Sequence, residues 1–386
     1  MSGTREIQVL TAKGLRLPEP ADGAPPPALA YRGETNDIAS LILETILFNL
    51  ATLTLYRFWA RTRVRRYLWS RTEIAGDPLE YTGRGTEMLL GFLIILFIVF
   101  LPLAALALVL QLIEPMLVAA IYPIPLFLLG VALYRARGYR LSRTLWRSVR
   151  FGQTGKSLSY AWKVFGYSIL TTITFGLMTP TKQSALYRYE MNNTWFGDRK
   201  FEYAGGPNPL YGPYIAAWFA RIALSVVVFP LAVGVTAFFA WVFGDQLGLF
   251  RWIEQIGPNL SAAAGVGIAA LLYLVFGAAF AAAQAPMAWY YAAQFNHFAR
   301  WTRVGDLGFE MSASGWSVAK LVVGNAFIML FTLGLGRPFT QVRTFRYVAD
   351  RLVFRGVADF EGVGPSTVTR PGAGEGLADA LDVGAV

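Results

Sequence analysis

The residues of this sequence that are best suited to chemistry are arginine–tyrosine pairs that follow apolar runs. Three such pairs occur in similar surroundings: Arg66-Tyr67, Arg188-Tyr189 and Arg346-Tyr347. A guanidinium pairs well with a lipid phosphate, and tyrosine is enriched at the membrane–water interface. Alternatively, the same arginines hydrogen-bond backbone carbonyls where a helix breaks. The sequence supports a lipid-headgroup site and a structural role equally.

Two further polar residues stand out because they are isolated. Glu44 lies in an apolar stretch, where a carboxylate is a possible intramembrane polar site for a proton or cation. A helix that does not span would instead let Glu44 reach water. His297 is the only histidine and there is no cysteine, so no metal cluster or histidine-centred triad is expected. The sequence therefore predicts no catalytic residues, no metal site, no cofactor and no enzymatic activity.

The composition is that of a membrane protein. Of 386 residues, 55% are hydrophobic and 15% charged, and the mean hydropathy is +0.44. The net charge is +10, which indicates anionic membrane lipids as partners. Nucleic acid is not expected as a partner, because the sequence contains no motif of a nucleic-acid-binding module. The oligomeric state is left open.

The apolar segments fall into two kinds. Four are long enough to cross a bilayer, and they form two helix hairpins within residues 88–134 and 213–295. Three weaker segments contain charges or amides, among them Glu44, Lys163 and Lys320, and break at Thr, Gly or Pro. Charges are costly inside a membrane, so these three segments are predicted to be re-entrant or interfacial.

The three weaker segments resemble one another, which predicts an internal triplication. At one constant offset Gly176 matches Gly334 and Arg188 matches Arg346, and the first copy aligns less closely. A short β-hairpin is predicted after each copy, as in "TWFGDRKFEYAG". The predicted fold is an all-α polytopic membrane protein with two transmembrane helix hairpins and three repeated re-entrant or interfacial helix-turn-helix units, each followed by a hairpin.

This interpretation divides the chain into seven segments. They are disordered tails at 1–30 and 363–386, repeat units at 31–87, 135–212 (with a basic lead-in) and 296–362, and transmembrane hairpins at 88–134 and 213–295. If all three repeat helices crossed, there would be seven crossings; otherwise there are four. The excess of Lys and Arg near the repeat units favours four, with both termini in the cytoplasm.

Two motifs point to a family. The stretches "FWARTRVRRYLWSRTEIAGDPLEYTGRGTEMLLGF" and "FTLGLGRPFTQVRTFRY" resemble the bacterial YjgN-like inner-membrane family, over roughly Tyr31 to Gly362. The resemblance implies a multi-pass protein of the bacterial cytoplasmic membrane and carries over no functional residues. Two functions remain open: a transporter or channel-like protein for a small solute, and a membrane-organising or anionic-lipid-binding protein.

Overall fold

The computed structural model describes residues 29–33, 40, 44, 45, 47, 48, 51–53, 55–121, 123–242, 258–355, 363–366 and 368. The protein is 69% helical and contains a ten-stranded antiparallel sheet. The prediction of a largely helical protein is confirmed, whereas the all-α description is not, because of this sheet. All ten described strands are three to five residues long, too short for an alternating pattern to be recognised in the sequence.

The elements follow one another in a recurring order of helices and hairpins. The helices are α1 (Arg57–Ser70), α2 (Gly85–Ile95), α3 (Leu101–Ile113), α4 (Pro123–Ser142), α5 (Ser157–Ile173), α6 (Thr179–Met191), α7 (Asn208–Phe239), α8 (Pro258–Gln284), α9 (Met287–Arg300), α10 (Gly315–Phe331) and α11 (Arg337–Ala349). The strands are β1 (Leu29–Tyr31), β2 (Thr72–Ile74), β3 (Asp77–Tyr81), β4 (Thr144–Trp146), β5 (Val149–Gln153), β6 (Thr194–Phe196), β7 (Arg199–Tyr203), β8 (Thr302–Val304), β9 (Leu307–Met311) and β10 (Leu352–Arg355). A π-helical turn (Leu96–Phe100) joins α2 to α3, and a 3₁₀ segment (Pro115–Ile121) precedes α4.

The sheet follows chain order from β1 to β10 and is nearly closed. Four hairpins, β2–β3, β4–β5, β6–β7 and β8–β9, lie side by side, with β1 and β10 at the ends. The same backbone hydrogen bond occurs wherever two strands that are not joined by a hairpin turn pair with each other. The N–H of the residue after the first strand donates to the carbonyl of the residue before the second strand. The pairs are Arg32–Arg71, Thr82–Arg143, Thr154–Asn193, Ala204–Trp301 and Ser312–Arg351. These five strand pairs therefore have the same register.

An apolar core lies inside this sheet. Trp146 and Phe196 are buried with Ala75 in one cluster, and Val304, Leu307 and Phe354 form a second. Ile74 and Phe201 pack against both clusters and join them. Alternate side chains of a strand point to one face, so each short strand contributes only one or two residues to this core.

The ordered part of the chain extends into both predicted tails. Strand β1 begins at Leu29, inside the segment 1–30. At the other end Val363 packs against the Trp146–Phe196 cluster. Of the third predicted hairpin, "LVFRGVADFEG", the first strand is β10, and residues 356–362 lie outside the described residues.

The chain divides into two compact units. The first comprises residues 1–208, 296–312 and 341–386 and holds every described strand together with α1–α6. Its helices pack closely: Phe58, Met88 and Tyr139 form a buried cluster between α1, α2 and α4. Gly130 of α4 lies so near α5 that an added Cβ would be 2.7 Å from the Ala161 Cα. A larger residue at position 130 would separate the two helices.

The second unit comprises residues 209–295 and 313–340. Tyr214 of α7 contacts Tyr290 of α9, with ring centroids 4.9 Å apart. Trp289 of α9 contacts Trp316 of α10 at 5.0 Å. Helix α8 approaches α10 at Gly277, where an added Cβ would be 2.3 Å from Leu330 Cδ1. Aromatic contacts and one small residue thus hold these four helices.

Four helical segments of the described chain are long and apolar enough to span a membrane, as the sequence predicts. They are Gly85–Ile113, Met116–Ser142, Asn208–Val242 and Val266–Gln284. In the most apolar window of the first, no residue is buried by the protein, and in the other three windows at most 17% are. Such helices need an apolar surrounding, so this is a membrane protein.

Candidate lipid-facing site

Three helix breaks share one local geometry. Each has a threonine whose hydroxyl donates to the carbonyl four residues earlier and accepts from the N–H four residues later. The residue after each threonine has a positive φ: Leu53 (48°), Phe175 (51°) and Leu333 (50°). A left-handed conformation costs a residue with a side chain roughly 1–2 kcal/mol. Thr52, Thr174 and Thr332 offset part of this cost by satisfying backbone groups at the break.

Helices α5 and α6 fold back on each other at the second break. Near the break, Lys182 Nζ donates to Ser168 Oγ at 2.9 Å, and these two residues are equally far from Phe175 in sequence. At the other end, Tyr160 Oη donates to Glu190 Oε1 at 2.5 Å, and this pair is also centred on Phe175. Contacts with that symmetry define an antiparallel helix hairpin. Its tip, Phe175, is 83% exposed.

Each arginine of the three predicted pairs contacts a backbone carbonyl. Arg66 Nη2 donates to Gly83 O at 3.0 Å, and Arg188 Nη2 to Gly205 O at 2.6 Å. Arg346 Nη2 donates to Gly33 O at 2.7 Å, across 313 residues of sequence. In all three cases the acceptor is the glycine two residues past a strand. Each guanidinium thus ties a helix to the end of a strand and also keeps donors that this bond does not use.

The three paired tyrosines also make contacts within the protein. The Tyr189 hydroxyl donates to Lys156 O at 2.9 Å and accepts from Lys156 N at 3.0 Å. The guanidinium of Arg71 lies 5.8 Å from the centre of the Tyr67 ring, and that of Arg351 lies 4.1 Å from the Tyr347 ring. The fold therefore uses Tyr189 in a backbone bond and the other two tyrosines in cation–π contacts.

A signal for the glycine acceptors is present in the sequence. The glycines end the triplets Tyr31-Arg32-Gly33, Tyr81-Thr82-Gly83 and Tyr203-Ala204-Gly205. The tyrosine ring of each triplet covers its glycine, so an added Cβ would lie 2.1–2.6 Å from ring atoms. Burial raises the pKa of Tyr203 to about 12, and its phenol therefore stays protonated at neutral pH. The repeated triplet marks the three glycines as equivalent positions, whereas it does not show which arginine reaches each of them.

A buried polar network lies at the base of the α5–α6 hairpin. Glu190 accepts from Tyr160, and its other oxygen lies 3.5 Å from Arg137 Nε. Arg137 also donates to Gln153 Oε1 at 2.9 Å. Tyr134 donates to Thr154 O and packs against Tyr160 with ring centroids 4.9 Å apart. The network joins α4, α5, α6 and β5, and its groups are satisfied by one another, so it holds the hairpin to the sheet.

Glu44 and His297 occupy ordinary environments. Glu44 Oε2 lies 2.7 Å from Arg63 Nη2, and its side chain is 53% exposed. An exposed ion pair of this kind contributes little to stability. His297 packs near Tyr203 and Phe298, and burial lowers its pKa. Among the described residues, no group of three or more His, Asp or Glu side chains could hold a metal ion.

A set of exposed basic residues lies where helices of the first unit meet the sheet. Arg84 immediately precedes α2, Lys156 immediately precedes α5, and Arg135 lies in the last part of α4. All three are exposed. In the part of the chain that the structure describes, no carboxylate forms an ion pair with them. These three residues, called the helix-end cations below, are available to an external anion.

Replacing Arg188 by alanine should destabilise the protein. The buried Gly205 carbonyl would lose its donor, which costs about 1–3 kcal/mol. Thermal unfolding in detergent measures the effect. Arg199→Ala is the control, because Arg199 is exposed in a hairpin and its nearest carboxylate, Asp198, is 3.8 Å away. Loss of bound lipid with unchanged stability in Arg188→Ala would instead support a headgroup role.

Comparison with known proteins identifies the family. No curated protein and no solved structure matches the chain. A family model described as "Bacterial protein of unknown function (DUF898)" matches residues 26–380. The match includes all the described strands, the four spans and the three helix breaks. The chain therefore belongs to this bacterial family, the YjgN-like proteins.

Proposed function

We propose that this protein is a non-catalytic membrane-organising protein that binds anionic lipids of the bacterial inner membrane. The observation that carries the proposal is the contrast between its surfaces. The spans are almost uncovered by protein, and the helix-end cations lie exposed beside two of them. Apolar helices flanked by cations fit acyl chains and anionic headgroups of the same leaflet.

The sheet supports a single membrane side for all hairpins. A bilayer cannot pass between hydrogen-bonded strands, so consecutive hairpins are separated by an even number of crossings. This favours four crossings over seven and makes the α5–α6 hairpin re-entrant. The turn Glu114–Ile121 contains no Lys or Arg, whereas residues 135–156 contain seven. We therefore place the sheet in the cytoplasm, with both chain termini on that side.

The proposed internal repeats also fit this arrangement. The three units with a broken helix share the threonine break and the Arg–Gly carbonyl bond. Each such unit would dip an apolar tip into the cytoplasmic leaflet and return to the sheet. Between these units along the chain, the two transmembrane hairpins cross the bilayer. The uncovered spans and the apolar tips would order the lipids around them.

Lipid binding by the helix-end cations tests the proposal. The triple variant Arg84→Gln, Arg135→Gln, Lys156→Gln should retain less phosphatidylglycerol after purification than the unaltered protein. Each cation contributes about 1 kcal/mol to anionic-lipid attraction, so loss of all three should lower the enrichment over phosphatidylcholine by up to about a hundredfold. Arg199→Gln, Lys200→Gln is the matched control, since these cations lie in the β6–β7 hairpin. Equal retention by all three proteins would refute the proposal.

Transport of a small solute is the second candidate. Its specific support is the π-helical turn Leu96–Phe100 within the first span, because such turns are frequent at functional sites. Broken helices at equivalent positions also occur in carriers. Flux of small solutes through reconstituted proteoliposomes tests this candidate. Solute-selective flux above that of empty liposomes would favour transport over a purely organising role.

A further inference from the structure

The α5–α6 hairpin carries a cation that the fold leaves largely unused. Lys182 is partly buried, and the acceptor that the structure shows for its ammonium is Ser168 Oγ. Within the described residues, no carboxylate lies within ion-pair distance of this ammonium. A lysine has three donors, so it keeps donors for another acceptor. A half-buried ammonium without a counter-charge is costly unless an anion accompanies it.

The position of this lysine along the hairpin indicates which anion can reach it. Lys182 lies between the exposed apolar tip at Phe175 and the polar base at Tyr160 and Glu190. On the tip side of Ser168, α5 presents a short stripe of exposed apolar side chains. They are Ile169 (41% exposed), Leu170 (43%) and Ile173 (67%). An amphiphile with an anionic head and apolar chains matches both features.

The Lys182–Ser168 pair is not repeated at the equivalent positions of the other two units. At the equivalent positions of the α10–α11 unit, Thr340 replaces Lys182 and Ala326 replaces Ser168. In the first unit Ala60 stands in the place of the lysine. The break and its threonine recur in all three units, so the geometry of the hairpin does not require a lysine. A requirement of the fold alone does not explain Lys182.

We propose that Lys182 and Ser168 bind the phosphate of one anionic phospholipid, whose acyl chains lie along the apolar stripe of α5. Lys182 donates charge-assisted hydrogen bonds to the phosphate, and the Ser168 hydroxyl orients the ammonium and donates a further bond. The site rests on the proposed lipid-binding function and names one position at which a lipid is held. It is separate from the helix-end cations, which act at the leaflet surface.

Titration of delipidated full-length protein with phosphatidylglycerol, followed by native mass spectrometry, tests the site. Lys182→Met should weaken the tightest binding step about fivefold or more, in proportion to the loss of one lipid-paired cation. Lys182→Arg should retain most of the affinity, and Ser168→Ala should have an intermediate effect. Lys163→Met is the matched control, because Lys163 is exposed on the same hairpin and contacts the Tyr189 ring at 5.9 Å. It should change binding by less than about twofold.

Phosphatidylcholine, which is neutral overall, distinguishes failure of the site from failure of the proposed function. If Lys182→Met binds phosphatidylglycerol as tightly as the unaltered protein, the site is overturned. The same holds if Lys163→Met loses as much affinity. In either case, a preference of the unaltered protein for phosphatidylglycerol over phosphatidylcholine leaves the proposed function standing. Equal binding of both lipids by the unaltered protein overturns both.

Discussion

Single cysteines at Ser148, Asp198 and Asp306 should all be protected from an impermeant thiol reagent in intact cells and labelled once the membrane is opened. All three residues are exposed, and each lies in the turn of a different hairpin of one continuous sheet. A sheet cannot be divided by a bilayer, so the three positions share one side. The chain has no native cysteine, so each variant reports a single position.

Glu114→Cys is the matched control, for which the opposite labelling result is expected. Glu114 is exposed between the first two spans and should be labelled in intact cells. A seven-crossing chain would instead place Ser148 across the membrane from Asp198 and Asp306, because one crossing separates it from Asp198 and three separate it from Asp306. Labelling of position 148 alone, with 198 and 306 protected, would contradict the shared sheet. Labelling of all three hairpin positions in intact cells would reverse the orientation and leave the sheet intact.

Deleting residues 2–33 should destabilise the protein strongly, whereas deleting residues 2–23 should not. The longer deletion removes β1, which pairs with β2, and the Gly33 carbonyl that accepts from Arg346. It also removes the Tyr31 ring, which contacts Phe345 at 6.4 Å. Two or more hydrogen bonds and one partly buried aromatic ring together represent about 3 kcal/mol. Thermal unfolding in detergent measures the difference between the two deletions.

The shorter deletion is the control, because it leaves every described contact in place. An equal loss of stability in both truncations would show that the segment before Gly23 docks on the body. Equal stability of both truncations and the full chain would mean that β1 does not close the sheet. Arg346→Ala should reproduce part of the effect of the longer deletion, since it removes one of the same hydrogen bonds.

The sequence alone determined the membrane character and the four long spans. Both depend on runs of apolar residues, a local property that needs no knowledge of packing. The positions of the helix breaks were also readable, because threonine followed by glycine marks Thr174–Gly176 and Thr332–Gly334 in the chain itself. Two hairpins with a Gly-Asp turn, β2–β3 and β6–β7, were predicted from the same kind of local signal, and the Gly305-Asp306 turn of β8–β9 carries that signal too.

Only the tertiary structure decided that all the strands form one sheet. A three-residue strand has no period, so β4, which no Gly-Asp turn follows, could not be told apart from the end of the basic helix before it. The same holds for the carbonyl that accepts from Arg346. Its carbonyl partner, Gly33, lies 313 residues away in sequence, and β1 was predicted to belong to a disordered tail. Composition and spacing describe neighbours along the chain, whereas that contact exists only because the sheet brings the two ends of the described chain together.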